Sequence, residues 1–124
     1  VDQEDTLYVS DWKNHRVMKW MKGSKEGIVV AGGQGPGASL KQLSYPQGIF
    51  IDKLDTVYVV DAGNNRIVRW IKGAEEGSII AGENIRGTKP NQLNIPIGLS
   101  FDDEKNLYIV DYGNHRVQKF VVDN

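Results

Sequence analysis

Two histidines, His15 and His115, are the residues of this 124-residue chain best suited to hold a metal or move a proton. Both stand in one setting: Asp11-Trp-Lys-Asn-His-Arg16 and Asp111-Tyr-Gly-Asn-His-Arg116 each gather a carboxylate, an amide, an imidazole and a guanidinium within a single short stretch. Those are the parts from which general acid–base sites and zinc sites are assembled. A third copy, Asp61-Ala-Gly-Asn-Asn-Arg66, keeps the Asp, Asn and Arg but replaces the histidine by Asn65. The copies fall at a constant interval of 50 residues, and that regularity redirects the chemistry. Catalysis needs its groups to converge once, whereas groups repeated in register serve every structural unit alike. Asp11, Asn14, Arg16, Asp61, Asn64, Arg66, Asp111, Asn114 and Arg116 are therefore expected to be structural. Each guanidinium should lie across turn carbonyls or pair with an Asp of its own or the adjacent unit.

The element that positions these residues is a longer repeat, Tyr8–Trp20, Tyr58–Trp70 and Tyr108–Phe120, within units of approximately 1–46, 47–96 and 97–124. Fourteen Gly, short apolar runs and no sustained apolar period of 3.6 predict an all-β chain with essentially no helix. The central copy reads as four strands: A over 48–52, B over 56–60, C over 66–71 and D over 78–81. Val57-Tyr-Val-Val60 and Ile28-Val-Val-Ala31 are nearly continuous apolar runs, so both sheet faces are covered. The links A–B and B–C are short turns, which forces neighbouring strands antiparallel. An antiparallel four-stranded sheet covered on both faces is a propeller blade. Asp61 is expected to take turn amides as an Asx turn, with Gly63 and the Asn residues available for positive φ. Leu43 and Leu93, in the D–A crossings, should plug the gaps between blades, and Pro46 and Pro96 should enter strand A.

Val1-Asp2 aligns with the end of a strand A and Phe120-Val-Val122 with the end of a strand C. The expected inventory is B-C-D, A-B-C-D and A-B-C, a partial β-propeller of about two and a half blades. Propellers close with roughly four to eight blades, so the remainder is expected from a parent chain, with other copies of this chain as the lesser alternative.

Positions that differ between equivalent places are the sharper binding candidates. The topology puts the B–C turns and D–A crossings on one end, where Trp12, Ala62 and Tyr112 alternate, as do Lys13, Gly63 and Gly113, and His15, Asn65 and His115. Trp12, Lys13, His15, Tyr112 and His115 are the candidate contact residues. This end is weakly positive, counting Lys13, Arg16, Lys41, Arg66, Arg86, Lys89 and Arg116 against Asp11, Asp61, Glu83 and Asp111, whereas the A–B and C–D end is acidic. With a net charge of −1 and much of the positive charge on structural arginines, a nucleic-acid partner is not expected. The acidic turns Asp52-Lys-Leu-Asp55 and Asp102-Asp103-Glu104 follow no EF-hand spacing, and Gly32-Gly-Gln-Gly-Pro-Gly37 lacks the Lys-Ser/Thr of a phosphate loop. No metal and no cofactor are expected, and no apolar run is long enough to span a bilayer. The absence of cysteine removes disulfides and thiolate chemistry and leaves the compartment open.

Tyr58-Val-Val-Asp-Ala-Gly-Asn-Asn-Arg-Ile67, preceded by Pro46-Gln-Gly-Ile49 and Asp52, resembles the NHL repeat, and Asn14-His15-Arg16-Val17 and Asn114-His115-Arg116-Val117 come nearest to the Asn-His-Leu signature. The resemblance implies four-stranded blades in a ring that is usually six-bladed. It also implies a range of functions: extracellular sensing, protein or RNA binding, or a zinc-dependent peptide-amidating lyase. The compartment stays open, and the resemblance alone slightly favours an extracellular one. In a six-bladed ring His15 and His115 would stand about 120° apart, too open to share one zinc directly. The expectation is a non-catalytic scaffold that binds a protein, peptide or glycan on the B–C and D–A end; an enzyme fragment with its site on the ring axis, or an RNA-binding propeller, is the alternative.

Overall fold

A computed structural model describes residues 6–82 and 92–121. Ten strands fold as β1 (Leu7–Asp11), β2 (Arg16–Trp20), β3 (Ile28–Gly32), β4 (Pro46–Ile51), β5 (Val57–Asp61), β6 (Arg66–Trp70), β7 (Ser78–Gly82), β8 (Pro96–Phe101), β9 (Asn106–Asp111) and β10 (Arg116–Val121). They form three antiparallel sheets ordered β1-β2-β3, β4-β5-β6-β7 and β8-β9-β10. These correspond to B-C-D, A-B-C-D and A-B-C, a partial β-propeller. The strands expected at Val1-Asp2 and Val122 lie outside the described residues.

Strand limits differ from expectation by one or two residues. Strand A starts earlier, at Pro46, because the proline opens the inner edge of the sheet, where its missing amide breaks no ladder. Strand B extends to Asp61, which pairs with Arg66 at the mouth of the turn.

The continuous apolar runs divide their side chains between two neighbours. On β5, Val57 and Val59 pack toward the first sheet with Val17, Ala31, Val68 and Trp70, while Val60 packs toward the third with Ile67, Leu107 and Ile109. Leu43 and Leu93 are fully buried in these two seams, one in each. Truncating either to Ala removes a contact to both flanking sheets, a change costing roughly 2–5 kcal/mol.

No α-helix occurs among the described residues, but each B–C turn is a single 3-10 turn: Trp12–Asn14, Ala62–Asn64 and Tyr112–Asn114. Each ends in a left-handed residue, His15 at φ 54°, Asn65 at 52° and His115 at 53°. Asn and His tolerate that region better than most side chains. Gly63 and Gly113 are not there for positive φ. The Gly63 amide donates to the Ser44 carbonyl at 2.8 Å and that of Gly113 to the Asn94 carbonyl at 2.7 Å, and a Cβ at either glycine would run into that crossing.

Candidate binding site

In the second and third sheets the repeated Asp–Asn–Arg set ties the B–C turn to the crossing that enters its own blade, while in the first Asn14 and Arg16 bond Asp11. Asp61 Oδ1 accepts the Ser44 amide at 2.6 Å, and its Oδ2 accepts Asn64 Nδ2 at 2.8 Å and Arg66 Nε at 2.7 Å. Arg66 then donates from Nη1 to Ala38 O at 2.9 Å and from Nη2 to Ser39 O and Gln42 O, both at 3.0 Å. One planar guanidinium thus engages its own carboxylate and three carbonyls of the crossing, so the two roles expected as alternatives are filled together. In the third sheet Asp111 accepts the Asn94 amide at 2.7 Å and Arg116 Nε at 2.8 Å, while Arg116 Nη2 donates to Gln92 O at 2.8 Å.

Asp61 does not make the expected Asx turn, because its donors come from Ser44 and from side chains. That role belongs to Asp52 and Asp102. Asp52 Oδ1 accepts the amides of Leu54 and Thr56, each at 2.9 Å, and Asp102 Oδ1 those of Glu104 and Asn106, also at 2.9 Å. Their Oδ2 atoms accept the hydroxyls of Tyr58 at 3.4 Å and Tyr108 at 3.0 Å. The Asn106 amide and side chain, with the tyrosine and Glu104 bonds, hold the Asp102 carboxyl below its usual range.

Burial grades the three Asp–Arg pairs. Arg66 and Asp61 are 1% and 0% exposed, Arg116 and Asp111 30% and 0%, and Arg16 and Asp11 35% and 29%. Burial pushes the Asp61 carboxyl up against the pull of Ser44, Asn64 and Arg66. At Asp111 burial acts the same way, but the Asn94 amide with Asn114, Arg116 and Gln118 outweighs it and the carboxyl is lowered. Asn14 and Arg16 lower that of Asp11.

A second tether joins each crossing to the preceding blade. His15 Nδ1 accepts the Tyr45 amide at 3.0 Å, and Asn65 Oδ1 accepts the Ile95 amide at 2.9 Å. The residues so held are themselves left-handed, Tyr45 at φ 49° and Ile95 at 53°, each directly before a proline. That conformation is costly for Ile and disfavoured before Pro, so it persists only because the surroundings fix it.

These tethers settle where the candidate contact residues sit. Trp12 is 46% exposed and Tyr112 60%, on equivalent turns of the first and third sheets with Ala62 between them. Lys13 is exposed, its Nζ 5.5 Å from the Trp12 ring centroid. His15 is 9% exposed and lies beneath, edge-on to Tyr45 at 4.5 Å. His115 is exposed at the corresponding place in the third sheet. The structure adds Tyr45, 48% exposed and 6.0 Å from the Trp12 ring, which completes an aromatic patch with Trp12 and Lys13. Its signal in the sequence was the contrast of Tyr45 with Ile95 just before the proline. Glu83, Arg86 and Lys89, counted in the charge of this end, lie outside the described residues. Among the described residues no three His, Cys, Asp or Glu side chains come together as a metal site, and no helix is long and apolar enough to cross a membrane.

The NHL repeat family matches residues 43–70 and 93–120. No protein of curated function matches the chain in sequence. Among solved structures the chain is similar to an auxiliary nutrient binding protein from Bacteroides thetaiotaomicron, at 18% identity and TM-score 0.70 over 94% of this chain and 35% of that one. It is also similar to a protein of unknown function from the same organism, at 18% identity and TM-score 0.77 over 95% and 32%, and to an auxiliary nutrient binding protein from Bacteroides ovatus, at 18% identity and TM-score 0.70 over 97% and 35%. The chain therefore spans about a third of the length of these structures, and the likeness concerns the fold. Two segments that match the NHL repeat, a third copy of the motif in register and three sheets stacked through shared apolar seams make this chain a partial β-propeller that carries NHL repeats.

Proposed function

We propose that the chain is a non-catalytic binding scaffold that presents its B–C and D–A end to a protein, peptide or glycan. The observation that carries this is the Trp12–Tyr45–Lys13 patch, whose rings stay in water although the residues beneath them are locked. Trp12 stands on a turn closed by the Asp11–Arg16 pair, and Tyr45 is held by His15. Large aromatics that lose little freedom on binding are the side chains that dominate interfaces. Tyr112 and His115 extend the surface on the third sheet. The names of two structural neighbours, both nutrient binding proteins, support a binding role.

The test is affinity capture by the immobilised chain with identification of retained partners, compared with the Trp12→Ala, Tyr112→Ala double variant. The expected result is that a partner retained by the parent is lost by the variant while the thermal midpoint is unchanged. Equal retention refutes the assignment. A partner identified as RNA, with retention that falls steeply with salt, would move the chain to the nucleic-acid class.

A further inference from the structure

The opposite end of the molecule holds a cleft of about 530 Å³ between the second and third sheets. Its floor is aromatic: Phe101 lies 4.9 Å from Phe50 and 4.8 Å, edge-on, from Tyr58. Its rim carries both charges, Asp52 and Lys53 from one A–B turn, Asp102, Asp103 and Lys105 from the next.

Two features separate this cleft from ordinary packing between blades. Two of the three floor residues do not follow the repeat, since Phe50 corresponds to Ser100 and Phe101 to Ile51, while Tyr58 recurs as Tyr8 and Tyr108. A residue needed by every seam would recur, as Leu43 and Leu93 do. Phe50 also keeps 37% of its surface exposed, although ring contacts fix its position.

The rim then selects the ligand. An anion meets three carboxylates and a cation meets two ammonium groups, so neither finds a matched surface. A polyol finds both partners, because each hydroxyl donates to a carboxylate and accepts from an ammonium. Asp52 is set in advance, one oxygen on turn amides and the other on the Tyr58 hydroxyl with a lone pair to spare. Both oxygens of Asp102 are filled, Oδ2 by the Tyr108 hydroxyl and Asn106 Nδ2, so that the free carboxylate of the next turn is Asp103. Small-ligand pockets occupy about 300–1,000 Å³, and this one suits one or two sugar rings.

We propose that this cleft binds a disaccharide, with the C–H face of one ring on Phe50 and its hydroxyls shared between the aspartates and Lys53 and Lys105. It is separate from the aromatic patch on the other end.

The experiment is a titration of the labelled chain with maltose, cellobiose, lactose and sucrose, followed by amide chemical shifts, with tetramethylammonium chloride as the cationic control. The expected result is saturable movement of amides 50–54 and 101–105 with at least one sugar. Phe50→Ser, which installs the residue already present at position 100, should weaken that binding at least about tenfold with other amides unmoved. Lys53→Gln with Lys105→Gln should weaken it as well, and Trp12→Ala should leave it unchanged. The proposal is overturned if none of the four sugars produces saturable shifts, if tetramethylammonium binds more tightly than every sugar, or if Phe50→Ser retains full affinity.

Discussion

Replacing the repeat arginines by lysine, one at a time, should produce three different losses from one chemical change. Lysine keeps the charge but loses the planar fork, so it cannot engage a carboxylate and several carbonyls together. Arg66 holds Asp61 and three crossing carbonyls at 2.7–3.0 Å, with both partners of the ion pair out of solvent. Bonds to a charged donor contribute about 1.5–3 kcal/mol each, and leaving a buried partner uncompensated costs about 3–5 kcal/mol. Arg66→Lys should therefore lose about 3–5 kcal/mol, a large fraction of the ~5–15 kcal/mol that a domain has in total. Arg16 makes an ion pair with Asp11 that is about one-third exposed on each side, and such pairs contribute about 0–1 kcal/mol. Arg116, which keeps an Asp111 pair and a bond to Gln92, should fall between them. Urea unfolding followed by the fluorescence of Trp12, Trp20 and Trp70 measures all three against a common slope. Equal losses at the three positions, or a larger loss at Arg16 than at Arg66, would refute the claim that burial between blades sets the strength of the lock.

Other consequences can be checked on the same footing. His15→Asn should be nearly neutral, because Asn65 already performs the task at the equivalent place, whereas His15→Ala should cost about 1–3 kcal/mol by orphaning the Tyr45 amide; equal effects in denaturant titrations would exclude the tether. The aspartates should make opposite contributions to the pH profile. Asp111, lowered in the fold, contributes stability that is complete above the ordinary carboxyl value near about 3.9 and lost as pH falls through its own, so Asp111→Asn should flatten the curve below about pH 4. Asp61, raised in the fold, contributes stability present below that ordinary value and lost as pH rises through its own, so Asp61→Asn should remove a decline above about pH 4. Unfolding free energies across the acid range, compared as slopes, decide both signs.

The blades were legible from the sequence because their cause is local and repeated. Short turns fixed the strand direction, and the unbroken run Val57-Tyr-Val-Val60 announced cover on both faces, which Val59 and Val60 then found on opposite seams. What escaped was set by partners far along the chain. Gly63 looks like a residue chosen for its φ, but its neighbour is Ser44, brought there by the crossing. Asp61, followed by Ala-Gly-Asn, looks like an Asx turn, yet its best donor is again Ser44, while Asp52, which does form the turn, sits in an unremarkable acidic loop. The cleft was hidden for a related reason: Phe50 and Phe101 occupy different columns of the repeat and meet only because adjacent blades offset them.

The double tether on each crossing bears on how such a chain changes over generations. A crossing is clasped by the turn behind it and the turn ahead, so every junction presents the same pair of fittings. Gain or loss of genetic material in whole fifty-residue steps leaves each fitting opposite its counterpart, whereas a step that removes a crossing alone takes from the buried Asp61–Arg66 pair the amide and carbonyls it holds. Ring size in this architecture can therefore drift by entire wedges while the wording inside each wedge stays nearly fixed, and novelty collects at side chains such as those of Trp12, Tyr45 and Phe50, which take no part in the tethers.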